Sequence, residues 1–317
     1  MGLATRGLGF KQPQPRGGNS MEIGAVFPTC EIGNDPVAIR DWAQTAEALG
    51  YDYIVTYDHV LGAEHADREV PLTGPYTEND PFHEPMTLLA YLAGVTEKVG
   101  LVTGVLILPQ RQAVLAAKQA TEIDLLSGGR LRLGLGTGWS YVEYEALGVP
   151  FDERGKRFDE QIDVMRQLWS EPLVDYSGDF HRVDRAALLP RPARKIPIWF
   201  GAISRIPIKR AVREGDGILF GGSPIAIQRL FEKTLGELEA VGRDPASFGF
   251  EAVVDFSHGA DVWGKELEVW RETGGTHLGL RAMDVAAGAV GGSHVGYSGP
   301  QAYIDALQTF RESVDWP

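Results

Sequence analysis

From Glu22 onward the chain alternates between two hydrophobic patterns. Short apolar runs of strand length give way to longer segments whose apolar residues recur every three or four positions, the spacing of one helix face. The first run, 23–27, is followed by Asp35-Pro36, a capping residue and a proline suited to a first helical position. Ile39, Trp42, Ala43, Ala46 and Leu49 then share one face, and Gly50 ends it. The same pattern predicts further strands at 53–57, 99–108, 131–135, 196–200, 217–220, 250–254 and 276–280. Helices are predicted over 86–96 and 112–126, and from Asp152 along the stripe Phe158, Ile162, Met165 and Leu168. Others run to about Glu214, through Val241, and over the segment carrying Trp263, Leu267 and Trp270. The last helix shows Tyr303, Leu307, Phe310 and Val314 on one face.

Eight strand–helix alternations predict a single (β/α)8 TIM barrel with its site at the C-terminal ends of the strands. A doubly wound sheet would need fewer units, and its nucleotide fingerprint is missing. Three connections, 61–85, 172–195 and 281–300, are too long for simple loops. The first follows strand two and the third strand eight, so both are insertion loops expected to overhang the mouth. The third is rich in glycine (Gly288, Gly291, Gly292, Gly296), which suggests mobility. Residues 1–20 carry Gly, Pro, Arg and Lys without an apolar centre. They read as a flexible N-terminal extension rather than a signal peptide, leaving 21–317 as the folded domain.

With 44% hydrophobic and 23% charged residues, the chain can bury a sizeable core. A net charge of −13 argues against nucleic acid as a partner. No apolar run approaches the ~20 residues that span a bilayer, so no membrane partner is expected. The single cysteine, Cys30, excludes an intrachain disulfide and suits a reducing cytoplasm. Its expected place is a loop or the core rather than a nucleophile's position. The histidines are scattered without H-x-H or H-E-x-x-H spacing, so no metal site is expected. No G-x-S-x-G elbow is present either.

Candidate chemistry gathers at strand ends. Asp58 and His59 close strand two, either as a polar exit turn or as a proton-transfer histidine oriented by its neighbouring carboxylate. Thr103-Gly104-Val105 puts a glycine inside strand three, which marks a bulge, a close ligand approach or simple packing against a bulky neighbour. Gly134-Leu135-Gly136-Thr137-Gly138-Trp139 follows strand four. A dinucleotide fingerprint would need a third glycine where Trp139 stands. These glycines make either a tight exit turn or a close backbone approach to a ligand. Gly201-Ala202-Ile203-Ser204 leads into a helix that Ser204 can cap. The helix start would suit a phosphate, with Arg205, Lys209 and Arg210 nearby, although these cations also read as a solvated face. His83-Glu84 reads as a loop feature of the first insertion.

In this order the segments Thr56-Tyr57-Asp58-His59, Phe82-His83-Glu84-Pro85, Thr103-Gly104-Val105, Ser127-Gly128-Gly129-Arg130, Gly134 to Trp139 and Ile198-Trp199-Phe200-Gly201 make a specific set. Over residues 21–224 the chain resembles the bacterial luciferase-like superfamily, specifically its deazaflavin (coenzyme F420)-dependent oxidoreductase branch. The resemblance implies a barrel with a cofactor at its C-terminal mouth, a small-molecule substrate and a homodimer. It implies that His59 stands beside the reacting carbon of the ring, with Asp58 setting its orientation. Thr103, Gly104 and Val105 map to a bulge with a non-prolyl cis peptide behind the ring. Gly136, Gly138, Trp139, Gly201, Ala202 and Ser204 map to the cofactor's tail and phosphate. Sugar-phosphate dehydrogenases of this branch carry Glu where Trp139 stands, which points away from that activity and toward a less polar substrate. Reduced FMN, with monooxygenase chemistry, is the alternative cofactor, and a non-catalytic cofactor-binding barrel is a third reading.

Overall fold

Two parallel strands, β1 (Glu22–Val26) and β2 (Tyr53–Thr56), start the sheet, joined by α1 (Pro36–Ala48). Asp35 caps α1 by accepting the Val37 N–H at 2.9 Å, as the Asp-Pro pair requires. The computed structural model describes residues 21–315, and the extension expected at 1–20 lies outside them. After α2 (Pro85–Val95) come β3 (Gly100–Thr103), β4 (Leu106–Ile107), α3 (Ala113–Leu126), β5 (Leu131–Gly136), α4 (Tyr141–Ala146) and α5 (Arg154–Ser170). The second half holds β6 (Val174–Ser177), β7 (Arg182–Ala186), β8 (Ile198–Ala202), α6 (Arg205–Glu214), β9 (Gly217–Phe220) and α7 (Gln228–Ala240). It ends with β10 (Gly249–Asp255), α8 (Ala260–Thr273), β11 (His277–Arg281) and α9 (Pro300–Ser313).

Strands β1, β2, β3, β5, β8, β9, β10 and β11 are all parallel, and the β3–β5 pairing closes them into the predicted (β/α)8 barrel. Helix stripes pack on its outside. Trp42, Phe158, Trp270 and Phe310 are fully buried there, which explains why these apolar residues recur at helical spacing. Among the described residues no helix is long and apolar enough to cross a membrane.

Three departures from the predicted elements have local causes. The strand expected at 99–108 breaks after Thr103, bulges through a cis Gly104-Val105 peptide and resumes as β4. The strand expected at 196–200 begins at Ile198, because Pro197 has no N–H to give the ladder. The connection 172–195 contains an antiparallel hairpin, β6–β7, that sequence periodicity does not reveal. Glu160 of α5 holds its turn by accepting the Asp179 and Phe180 N–H groups at 2.9 and 3.0 Å. The glycine-rich segment after β11 is tied down by carboxylates. Asp284 accepts the Gly296 and Tyr297 N–H groups at 2.8 and 3.2 Å, and Glu31 accepts the Asp284 N–H at 3.1 Å.

The barrel floor is a charge pair held between rings. Arg132 meets Glu251 at 2.7 Å and lies 4.4 Å from the Tyr53 ring and 4.1 Å from the Trp199 ring. Glycines make room for these rings: a Cβ on Gly249 would stand 1.9 Å from Trp199, and one on Gly24 would stand 2.1 Å from Tyr53. Gly134 is more constrained still. A Cβ there would lie 1.9 Å from the Thr103 carbonyl oxygen, a backbone atom that no rotamer change can move. Gly134→Ala is therefore expected to cost ~1–3 kcal/mol or more of stability by overpacking, read as a lower melting temperature. A variant that melts with the parent would show that the bulge can shift without cost.

Candidate active site

A cavity of about 380 Å³ opens at the C-terminal ends of the strands. Asp58, His59, Gly104, Val105, Gly136, Gly138, Trp139, Gly201 and Ala202, all candidates from the sequence, line it. Thr103 and Ser204 do not. The Thr103 hydroxyl turns into the wall and donates to the Gly134 carbonyl at 2.7 Å. Ser204 sits at the N-cap position of α6, but its side chain is exposed and makes no capping bond. Of the cations near that turn, Arg210 is committed to Asp159 at 2.6 Å.

Several glycines serve packing inside the wall. A Cβ on Gly136 would stand 2.5 Å from a Val105 methyl, and one on Gly201 would stand 2.9 Å from the other. Val105 is thus keyed between β5 and β8, and the bulge presents a fixed apolar surface to the cavity. Gly138, at φ +63°, makes room for Ile107 in the same way. Gly74, from the insertion after β2, gives room to the Trp139 ring, which a Cβ would meet at 2.0 Å.

His59 is buried under that insertion. Its ring lies 5.2 Å from Tyr76, 5.0 Å from Phe82 and 5.3 Å from Trp139. Nδ1 is 2.7 Å from an oxygen of Glu143, a fully buried residue on α4. The other Glu143 oxygen accepts the Val60 and Leu61 N–H groups at 2.7 and 3.2 Å. Burial alone would raise the Glu143 carboxyl, but bonds from His59, Val60 and Leu61 outweigh it and hold the group below the usual carboxylate range. This residue was not among the sequence candidates.

The expectation that Asp58 orients His59 is corrected. Both Asp58 oxygens point to the wall: one accepts the Ile107 N–H at 2.8 Å, the other the Arg111 guanidinium at 2.7 Å. Arg111 also reaches Glu84 at 2.9 Å. Glu84, read from sequence as a loop feature, caps α2 by accepting the Thr87 N–H at 2.7 Å. Asp58 thus ties the exit of β2 to β4 and to α2, and its oxygens bond these groups while the imidazole's carboxylate partner is Glu143.

The rest of the cavity is mainly apolar, with Val26, Val55, Ile107 and Leu219 in its wall. Arg281 at the end of β11 is buried and neutralised by Asp255 at 2.8 Å. Cys30, behind the wall, is buried, and that burial pushes its thiol pKa up, so it stays a protonated thiol. Among the described residues no cluster of three His, Cys, Asp or Glu side chains could hold a metal.

The chain is similar to known proteins in sequence and fold. The family model for luciferase-like monooxygenases matches residues 15–262. An F420-dependent hydroxymycolic acid dehydrogenase of Mycobacterium tuberculosis is 28% identical over 279 residues, 86% of this chain and 72% of that protein. An FMNH(2)-dependent dimethylsulfone monooxygenase of Pseudomonas fluorescens is 31% identical over 189 residues, 59% of this chain and 48% of its own length. Among solved structures, an F420-dependent secondary alcohol dehydrogenase in complex with an F420-acetone adduct superposes with a TM-score of 0.72. It covers 93% of this chain and 98% of its own, at 17% identity, so that likeness speaks for the fold alone.

Proposed function

This chain belongs to the luciferase-like monooxygenase family, and from that premise we propose that it is an F420-dependent oxidoreductase acting on a small, rather apolar organic substrate. The observation that carries the reading is His59, buried at the mouth and presented to a mainly apolar cavity by an internal carboxylate. A relative matched over 86% of this chain is an F420-dependent dehydrogenase, which favours the deazaflavin over FMN.

The residues present fit a flat tricyclic ring. Val105, keyed by Gly136 and Gly201, offers an apolar face to lie against, and His59 and Trp139 line the same cavity. A deazaflavin supplies a two-electron hydride acceptor or donor when bound. Val105 would hold the ring from one side and His59 would face the substrate from the cavity wall, so that proximity would supply much of the rate. His59 takes up or returns the proton that accompanies the hydride. The insertion carrying Gly74, Tyr76 and Phe82 packs over the His59 ring. The Gly201–Ala202 turn before α6 would hold the tail.

A fluorescence titration with oxidised F420 and with FMN, side by side on one preparation, tests the assignment. Saturable F420 binding at least ~10-fold tighter than FMN, a gap of about 1.4 kcal/mol, is the expected result. The reverse preference would make the protein an FMN-dependent enzyme and overturn the proposal.

A further inference from the structure

We propose that Glu143 is a positioning residue that fixes His59 in a single tautomer, with the proton on Nδ1 and the Nε2 lone pair facing the cavity. Hydrogen-bond polarity dictates this. One Glu143 oxygen is already claimed by two donors, the Val60 and Leu61 N–H groups at 2.7 and 3.2 Å. Backbone N–H groups can only donate, so the carboxyl end facing them must accept. The other oxygen, 2.7 Å from Nδ1, belongs to the same buried carboxyl group, and the two backbone bonds it accepts favour its ionised form. A neutral imidazole has one N–H and one lone pair, and an ionised carboxylate opposite Nδ1 requires the N–H there. Among the described residues no protein group takes Nε2.

The other groups around the ring do not compete for that proton. Tyr76, Phe82 and Trp139 approach it as rings. Asp58, next in the chain, is committed to Ile107 and Arg111. His65 lies on the Trp139 ring and bonds the Tyr76 carbonyl at 2.9 Å. Nδ1 therefore keeps its proton and its partner throughout, and Nε2 alone exchanges one with the cavity. When Nε2 gains a proton the ring becomes a cation, and Glu143 is the counter-charge already in contact with it. The same carboxylate pins residues 60 and 61, where the long mouth segment begins, so the ring and the wall that covers it share one anchor.

The effect on turnover rests on the oxidoreductase reading given above, whereas the tautomer does not. The test is nitrogen NMR on unliganded protein carrying 15N-histidine, with the His59 signals assigned by their loss in His59→Asn. The parent is expected to show a protonated Nδ1 and an unprotonated Nε2. In Glu143→Gln the amide oxygen can keep the Val60 and Leu61 bonds while its NH2 group faces the ring. That reversal of polarity should move the proton to Nε2 and invert the pattern. A parent spectrum with the proton on Nε2 overturns the proposal by itself, whether or not the variant folds. A folded Glu143→Gln with an unchanged pattern overturns it equally. Because these spectra need no cofactor, they decide the role of Glu143 even if the F420 assignment fails.

Discussion

His59→Ala is expected to lower turnover by ~10²–10⁴, the span usual for losing a general acid or base, and to leave cofactor affinity within about tenfold. The imidazole lines the cavity, whereas the surface proposed for the cofactor ring is built by Val105, Gly136 and Gly201. Alanine also removes the partner of a buried carboxylate, since Glu143 loses its 2.7 Å bond. An unsatisfied buried group of that kind costs ~1–3 kcal/mol or more, so the alanine variant should melt lower as well. His59→Asn separates the two effects. Its side-chain amide can still donate to Glu143 but cannot carry a proton between cavity and ring. Single-turnover rate and melting temperature, measured on the same preparations, give the answer. A variant that is destabilised yet turns over normally per folded molecule would make His59 a structural hydrogen-bonder.

Asp58→Ala should act in the opposite sense, with its main effect on folding. Removing one partner of a buried ion pair costs on the order of 3–5 kcal/mol, because the remaining charge is left without compensation. Here the survivors are the Arg111 guanidinium and the Ile107 N–H. Arg111 keeps Glu84 at 2.9 Å, which places the loss at the lower end of that range. The loosened contact joins β2 to β4 and α2, so local hydrogen exchange should rise at Ile107 together with the fall in melting temperature. If Asp58→Ala instead keeps the parent's melting temperature and loses turnover, the carboxylate acts on the reaction and its assignment as a wall residue fails.

The adjacency of Asp58 and His59 shows where sequence reasoning carries and where it stops. Strand and helix periodicity located each of the eight barrel strands, and the candidate residues at strand ends meet around one cavity because parallel strands put those ends together. Periodicity cannot say which way a side chain at a strand's end turns. Two neighbours in the chain point in different directions, and His59 finds its carboxylate 84 residues away. Glu143 lies within Tyr141–Ala146, a short run that looks like an ordinary exposed helix turn, so nothing local distinguishes it. The glycines were visible as exceptions but not their use: those at 136 and 201 make sockets for Val105, a fact that needs three segments at once. The β6–β7 hairpin escaped because its alternation is too short to read: Val174 and Tyr176 in β6 and Val183 in β7 are its only inward apolar positions.

The ring-clasped pair Arg132 and Glu251 gives the mouth cavity a closed bottom, and Glu251 lines that bottom. A vessel closed at its base would impose an order of traffic. Whatever occupies the deeper position must arrive first and depart last, and nothing can be exchanged from beneath it. For two ligands of unequal size this means sequential kinetics through a ternary complex, with the outer molecule acting as a stopper for the inner one. Excess outer ligand should then slow the inner one's escape, and trapping of this sort would show as inhibition by substrate at high concentration.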